Sequence, residues 1–132
     1  MKELTVISRS REELIDVTSQ VQQFVTESGL LSGTVICFVP HTTAAVTINE
    51  NADPDVKRDL LYKLKKEIPQ QDGYHHAEGN SDAHLKSSLF GCSAQLLVEG
   101  GRLVLGTWQG IYFCEFDGPR TRKLMIKVMA DD

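Results

Sequence analysis

At 132 residues the chain is long enough to bury a core without disulfides, and a single domain spanning 1–132 is expected. Its formal net charge of −4 argues against a dedicated nucleic-acid binder, which carries a basic excess to neutralise phosphates. No apolar run reaches transmembrane length, and Met1-Lys2-Glu3-Leu4-Thr5 lacks the layout of a secretory signal, so a cytoplasmic protein with no membrane partner is expected.

Residues 2–8 alternate polar and apolar side chains and predict a strand, and residues 12–17 predict a second strand paired with it. From about Ser19 to Glu27 the pattern turns helical, because Val21, Phe24 and Val25 stand at i, i+3 and i+4. Thr18 or Ser19 suits its cap and Gly29 its exit. Residues 33–39 are a β-branched apolar run that predicts a buried strand ended by Pro40. His41 therefore emerges just past a rigid strand end, and residues 44–48 resume strand character.

Asp53-Pro54 opens the clearest helix, with Asp as cap and Pro at the first helical position. Val56, Leu60, Leu61, Leu64 and Ile68 give it one apolar stripe, and Lys63, Lys65 and Lys66 near its end suit the helix dipole. Pro69 stops it, and Gln70 to Gly79 read as a polar loop. A short helix follows over about Asp82 to Phe90, capped by Asn80 or Ser81 and ended by Gly91. Residues 94–99 and 102–106 predict a hairpin about Gly100-Gly101. Residues 107–116 and 121–129 predict two more strands separated by Asp117-Gly118-Pro119. The fold class is thus α+β: mostly antiparallel β-sheet with a few helices packed on one side.

Chemistry concentrates in the loops. Three cysteines without CxxC spacing offer no metal knuckle; Cys37 and Cys114 read as small buried hydrophobes, and Cys92 after Gly91 as partly exposed. Of four histidines, three lie in polar, loop-like segments, as a metal site or an acid–base site requires. His41, His76 and His84 with a water would form an open tetrahedral site that activates water or a substrate oxygen. Spacing does not separate His76 from its neighbour His75. Free amides at the start of the 82–90 helix suit a phosphate, with Asn80, Ser81, Lys86, Ser87 and Ser88 close by. Arg120 and Arg122 add bidentate capacity.

Glu50 follows a strand with no evident structural task and is a candidate acid–base group, whereas Asp53 reads as a cap. Glu115 and Asp117 flank Phe116, share a face by alternation, and suit either a divalent cation or the basic residues nearby. Trp108 reads as a core plug or a lid over a ring-shaped substrate, with Gln109 beside it to orient a polar edge.

Four stretches together resemble the YjbQ-like family, also called the secondary thiamine-phosphate synthase enzyme family. They are Pro40-His41-Thr42-Thr43 through Asn49-Glu50-Asn51-Ala52-Asp53, Gly79-Asn80-Ser81-Asp82-Ala83-His84-Leu85-Lys86, Leu105-Gly106-Thr107-Trp108-Gln109-Gly110-Ile111, and Glu115-Phe116-Asp117-Gly118-Pro119-Arg120. The resemblance covers essentially the whole chain. It implies a YjbQ-like α+β fold in a compact homotrimer, with sites near subunit boundaries. It further implies that His41, His76 and His84 are the metal or active-site imidazoles, which selects His76 over His75. The implied activity joins a pyrimidine diphosphate to a thiazole phosphate and releases pyrophosphate.

The expectation is therefore a metal-dependent enzyme acting on phosphorylated small molecules. Its metal ligands are His41, His76 and His84, and its catalytic groups His41, His84 and Glu50. Asn80, Ser81, Lys86, Trp108, Gln109 and Arg120 bind the substrate. The cofactor is a divalent metal: three imidazoles suit zinc, and magnesium is the other candidate, since a divalent ion neutralises the charge of a departing pyrophosphate. The alternatives are a metal-assisted hydrolase and a non-catalytic trimer that holds a metal or phosphorylated metabolite.

Overall fold

Two antiparallel sheets form because the chain supplies eight short strands, most of them apolar on at least one face. The computed structural model describes residues 1–132. In chain order the elements are β1 (Lys2–Ile7), β2 (Glu13–Asp16), α1 (Thr18–Ser28), β3 (Ser32–Phe38), β4 (Ala44–Glu50), α2 (Pro54–Glu67), α3 (Ser81–Phe90), β5 (Ser93–Glu99), β6 (Arg102–Leu103), β7 (Gln109–Glu115) and β8 (Thr121–Ala130). One sheet has the order β1-β8-β3-β5-β6 and the other β2-β7-β4. Every pairing is antiparallel. This is the α+β architecture the periodicity predicts, and no helix is long and apolar enough to cross a membrane.

The main core lies between the inner faces of the sheets. Val35 and Cys37 of β3, Leu96 and Val98 of β5, and Leu124 and Ile126 of β8 meet Val46 of β4 and Ile111 and Phe113 of β7 there. Val21 and Val25 carry α1 into the same cluster, on the face its spacing predicts. β7 is buried on both faces: its Tyr112 and Cys114, with Phe116 just beyond its end, form a second cluster with Leu14, Ala45 and Ala83, against which Leu60, Leu61 and Leu64 of α2 pack. No residue of α2 is fully buried, so its apolar stripe rests on the body rather than entering it.

Several local expectations change. β1 and β2 do not pair with each other; β1 joins β8 and β2 joins β7. The segment between them crosses from sheet to sheet, held as the Ser8 amide donates to the Arg120 carbonyl and the Gly118 amide to the Arg11 carbonyl. The helices are not all on one side, because α1 enters the core while α2 and α3 cover the outer cluster. α1 begins at Thr18 with Val17 at the cap position, so neither Thr18 nor Ser19 caps it; Asp16, just before the cap, accepts from the Thr18 amide at 2.9 Å. β6 ends at Leu103 and β7 starts only at Gln109, since the Gln109 side chain accepts from the Gly106 amide at 2.8 Å and closes a turn. Asp53 caps α2 as expected, accepting from the Asp55 amide at 2.9 Å with Pro54 behind it.

Candidate active-site cleft

Three remote segments converge at one end of the smaller sheet: the β3–β4 loop, the start of α3, and the β7–β8 turn. Proline at 40 offers no ladder donor, so β3 stops and the chain turns out through His41 and Thr42. Thr43 is buried and fixed, because its carbonyl accepts from the Phe116 amide and its hydroxyl accepts from Arg122 at 2.8 Å.

The floor is a buried ion pair. Glu115 has no exposure, and its carboxylate takes Arg122 Nε at 2.9 Å, Arg122 Nη2 at 2.5 Å, Ser8 Oγ at 2.6 Å and the Asp117 amide at 3.0 Å. Burial pushes the Glu115 pKa up, but the hydrogen bonds from Arg122 and Ser8 outweigh it and hold the group below the usual carboxylate range. Gly118 makes this approach possible. A Cβ there would lie 2.3 Å from the Ser10 carbonyl oxygen and 2.8 Å from Glu115 Cγ. Arg122 is therefore a held group: Nε and Nη2 are spent on Glu115 and Thr43, and Nη1 makes no hydrogen bond within the chain.

The wall comes from the turn and from α3. Asp117 accepts from Asn80 Nδ2 and from Arg120 Nη2, each at 2.9 Å. That contact fixes the Asn80 amide orientation and leaves its Oδ1 buried without a partner. His84, half-buried in the first turn of α3, makes no hydrogen bond through its ring. The His76 ring stands edge-on to it with centroids 5.4 Å apart. The resulting cleft, about 600 Å³, is lined by His41, Thr42, Thr43, Glu78, Asn80, His84, Cys92, Asp117, Arg120 and Arg122, with Phe38, Val39 and Pro40 at its lip.

Of the residues singled out from sequence, His41, His84, Asn80 and Arg120 come together here. His76 reaches the cleft only through its contact with His84 and lines a neighbouring groove with Ser81. The Ser81 hydroxyl is buried with no partner. Lys86 is displaced from the proposed phosphate-binding role: it is fully buried, with Nζ at 2.7 Å from Glu12 and 3.0 Å from Asp82, and it faces a separate cleft. Asp82 in turn takes Arg11 through both guanidinium nitrogens at 3.1 Å.

Glu50, Trp108 and Gln109 lie at the opposite end of the sheet. Ala44 pairs with Glu115 and Glu50 with Gln109, so six residues of strand, about 20 Å, separate the two ends. Glu50 has a structural task after all, accepting from the Asp53 amide at 3.2 Å. Trp108 is 61 % exposed, so it is not a core plug. Glu115 and Asp117 meet basic side chains, as the second of the two sequence readings has it.

The three-imidazole metal set does not fit this arrangement. No group of three His, Cys, Asp or Glu side chains comes together as metal ligands. His41 Nε2 already accepts from the Lys123 amide at 3.0 Å. Burial is the main influence lowering the His41 pKa, and the positive charge of Arg122 adds to it against the opposing charge of Glu115.

The fold has close counterparts. The family model described as "UPF0047 protein YjbQ-like" matches residues 2–131. The UPF0047 protein YugU of Bacillus subtilis is 53 % identical over 98 % of this chain and 99 % of its own length. A UPF0047 protein of Methanocaldococcus jannaschii is 50 % identical over 94 % of this chain and 90 % of its own length. Among solved structures, an uncharacterized YjbQ/UPF0047 protein of Clostridium acetobutylicum superposes with a TM-score of 0.96 at 52 % identity, covering 98 % of this chain and all of that one. A protein of unknown function from Sulfolobus solfataricus superposes with a TM-score of 0.94 at 34 % identity, covering 98 % of this chain and 96 % of that one.

Proposed function

The chain belongs to the UPF0047 family of YjbQ-like proteins, and from that premise we propose that it is a cytoplasmic enzyme acting on a phosphorylated small molecule in the cleft beneath His41 and His84. The observation that carries this reading is the donor-rich floor and rim. Arg122 is held by Glu115 with Nη1 uncommitted, and Arg120 is held by Asp117 on the rim. Guanidinium groups fixed in advance bind phosphate oxygens without losing side-chain freedom at the moment of binding. His84 is the acid–base group in this reading, because its ring lines the cleft and is engaged by no hydrogen bond.

The most specific form of the reading is thiamine-phosphate synthesis, in which a pyrimidine diphosphate is joined to a thiazole phosphate and pyrophosphate leaves. Arg120 and Arg122 would then hold the departing anion. A three-imidazole metal has no part in this reading, since His41 Nε2 is engaged by the Lys123 amide. We propose a homotrimer as the working assembly. The support is the apolar surface that Phe38, Leu97 and Met129 leave exposed on the outer face of the larger sheet.

A turnover assay on a panel of phosphorylated compounds, including the pyrimidine and thiazole pair with pyrophosphate detection, tests this reading. Turnover that falls by about 10²–10⁴-fold in His84→Ala supports it. Full turnover in that variant removes His84 from the chemistry. Turnover of a single phosphoester alone makes the protein a hydrolase, and binding without turnover makes it a ligand-binding protein.

A further inference from the structure

His41 sits where the β3–β8 ladder ends. Phe38 pairs with Met125, and beyond it Pro40 takes β3 away from β8. The Lys123 amide, two residues past that last pair, has no β3 partner and donates instead to His41 Nε2 at 3.0 Å, while Lys123 stays paired with Thr5 of β1. An amide N–H cannot accept a proton, so Nε2 must carry a lone pair. The ring is then neutral with its proton on Nδ1, the only nitrogen left for the cleft that His41 lines. A metal at Nδ1 needs that lone pair, and a general base needs a free one; the ring has neither to give while the Lys123 contact stands.

We infer that His41 is a fixed, neutral hydrogen-bond donor that presents Nδ1–H to an oxyanion of the bound ligand, and is neither a metal ligand nor a general base. The inference rests on the proposed phosphate-binding reading of the cleft. The charged groups facing the ring are Arg122 of β8, Arg120 of the β7–β8 turn and Glu115 of β7; the two arginines oppose a second proton on it and Glu115 favours one. A neutral imidazole stabilises developing oxyanion charge as an electrophile without transferring its own proton. The ligand class is correspondingly an oxyanion, a phosphate or carboxylate, that accepts from His41 and Arg122 together.

The test is long-range proton–nitrogen correlation NMR on nitrogen-15-labelled full-length protein, alone, with inorganic pyrophosphate, and with zinc. The inference predicts an Nδ1–H tautomer for His41, a shift of that proton on adding pyrophosphate, and no His41 response to zinc. An Nε2–H tautomer, or a zinc-dependent shift of a His41 nitrogen, would overturn it, even if pyrophosphate shifts other cleft residues and the phosphate reading survives. The expected tautomer with no pyrophosphate response anywhere in the cleft would overturn the phosphate reading and, with it, the oxyanion role. A second measurement uses His41→Asn, which keeps a donor amide, beside His41→Ala. Pyrophosphate binding weakened about tenfold or more in Ala and largely restored in Asn supports the donor role; equal loss in both contradicts it.

Discussion

Glu115 carries the clearest energetic consequence at the scale of single residues. Replacing it with Gln leaves the buried Arg122 guanidinium without a counter-charge, and such a break costs about 3–5 kcal/mol. Urea unfolding of Glu115→Gln checks this. The same group sets an acid limit. The folded pKa values of Glu115 and Asp82 lie below their ordinary values, although burial alone would raise both, because Arg122 and Ser8 act on one and Arg11 and Lys86 on the other. The unfolded state therefore binds more protons in acid, so this stability is fully present above about pH 4–5 and is lost as pH falls through the lower folded values. Thermal melts between pH 7 and pH 3 should show the midpoint falling below about pH 4.5, with a shallower fall in Glu115→Gln.

His41, His84, Asn80 and Arg120 were legible from sequence because each stands within a few residues of a strand or helix end, where polar side chains leave the core. Lys86 was not. Its position reads as solvent-facing until Glu12, distant in sequence, is brought to 2.7 Å from its ammonium. Charge pairing between remote segments leaves no local pattern to read.

Among the elements, α2 and β7 should differ most in stability. β7 is buried from Gly110 to Glu115, whereas α2 contains no fully buried residue. Hydrogen exchange should accordingly find α2 amides opening well before those of Ile111 to Cys114. Equal protection would mean that α2 is held by something other than its half-buried stripe. Element type and order were readable because the period changes cleanly between 2 and 3.6 along the chain. Strand partners were not. β1 and β2 are adjacent in sequence and belong to different sheets, and only the crossing at Ser8, with its bonds to Glu115 and Arg120, shows why. Glu50, Trp108 and Gln109 were grouped with the site for the same reason: strand register, invisible in the sequence, decides which end of a strand a residue occupies.

The whole molecule is two sheets around one core, with a donor-lined cleft at one end and an exposed tryptophan at the other. Light scattering on the full chain should give three times the 14.7 kDa chain mass if the proposed trimer forms. A monomer at micromolar concentration would contradict that assembly and leave Phe38, Leu97 and Met129 without a covering partner. The central claim is that the cleft, and not the tryptophan end, takes a phosphorylated ligand. Backbone amide NMR during titration with inorganic pyrophosphate tests it most directly, beside Arg120→Gln and Trp108→Ala. Binding in the cleft should give shifts confined to residues 41–43, 80–84 and 117–122, weaker binding in Arg120→Gln and none of that loss in Trp108→Ala. Shifts centred on Glu50 and Trp108, or none in the cleft, would contradict it.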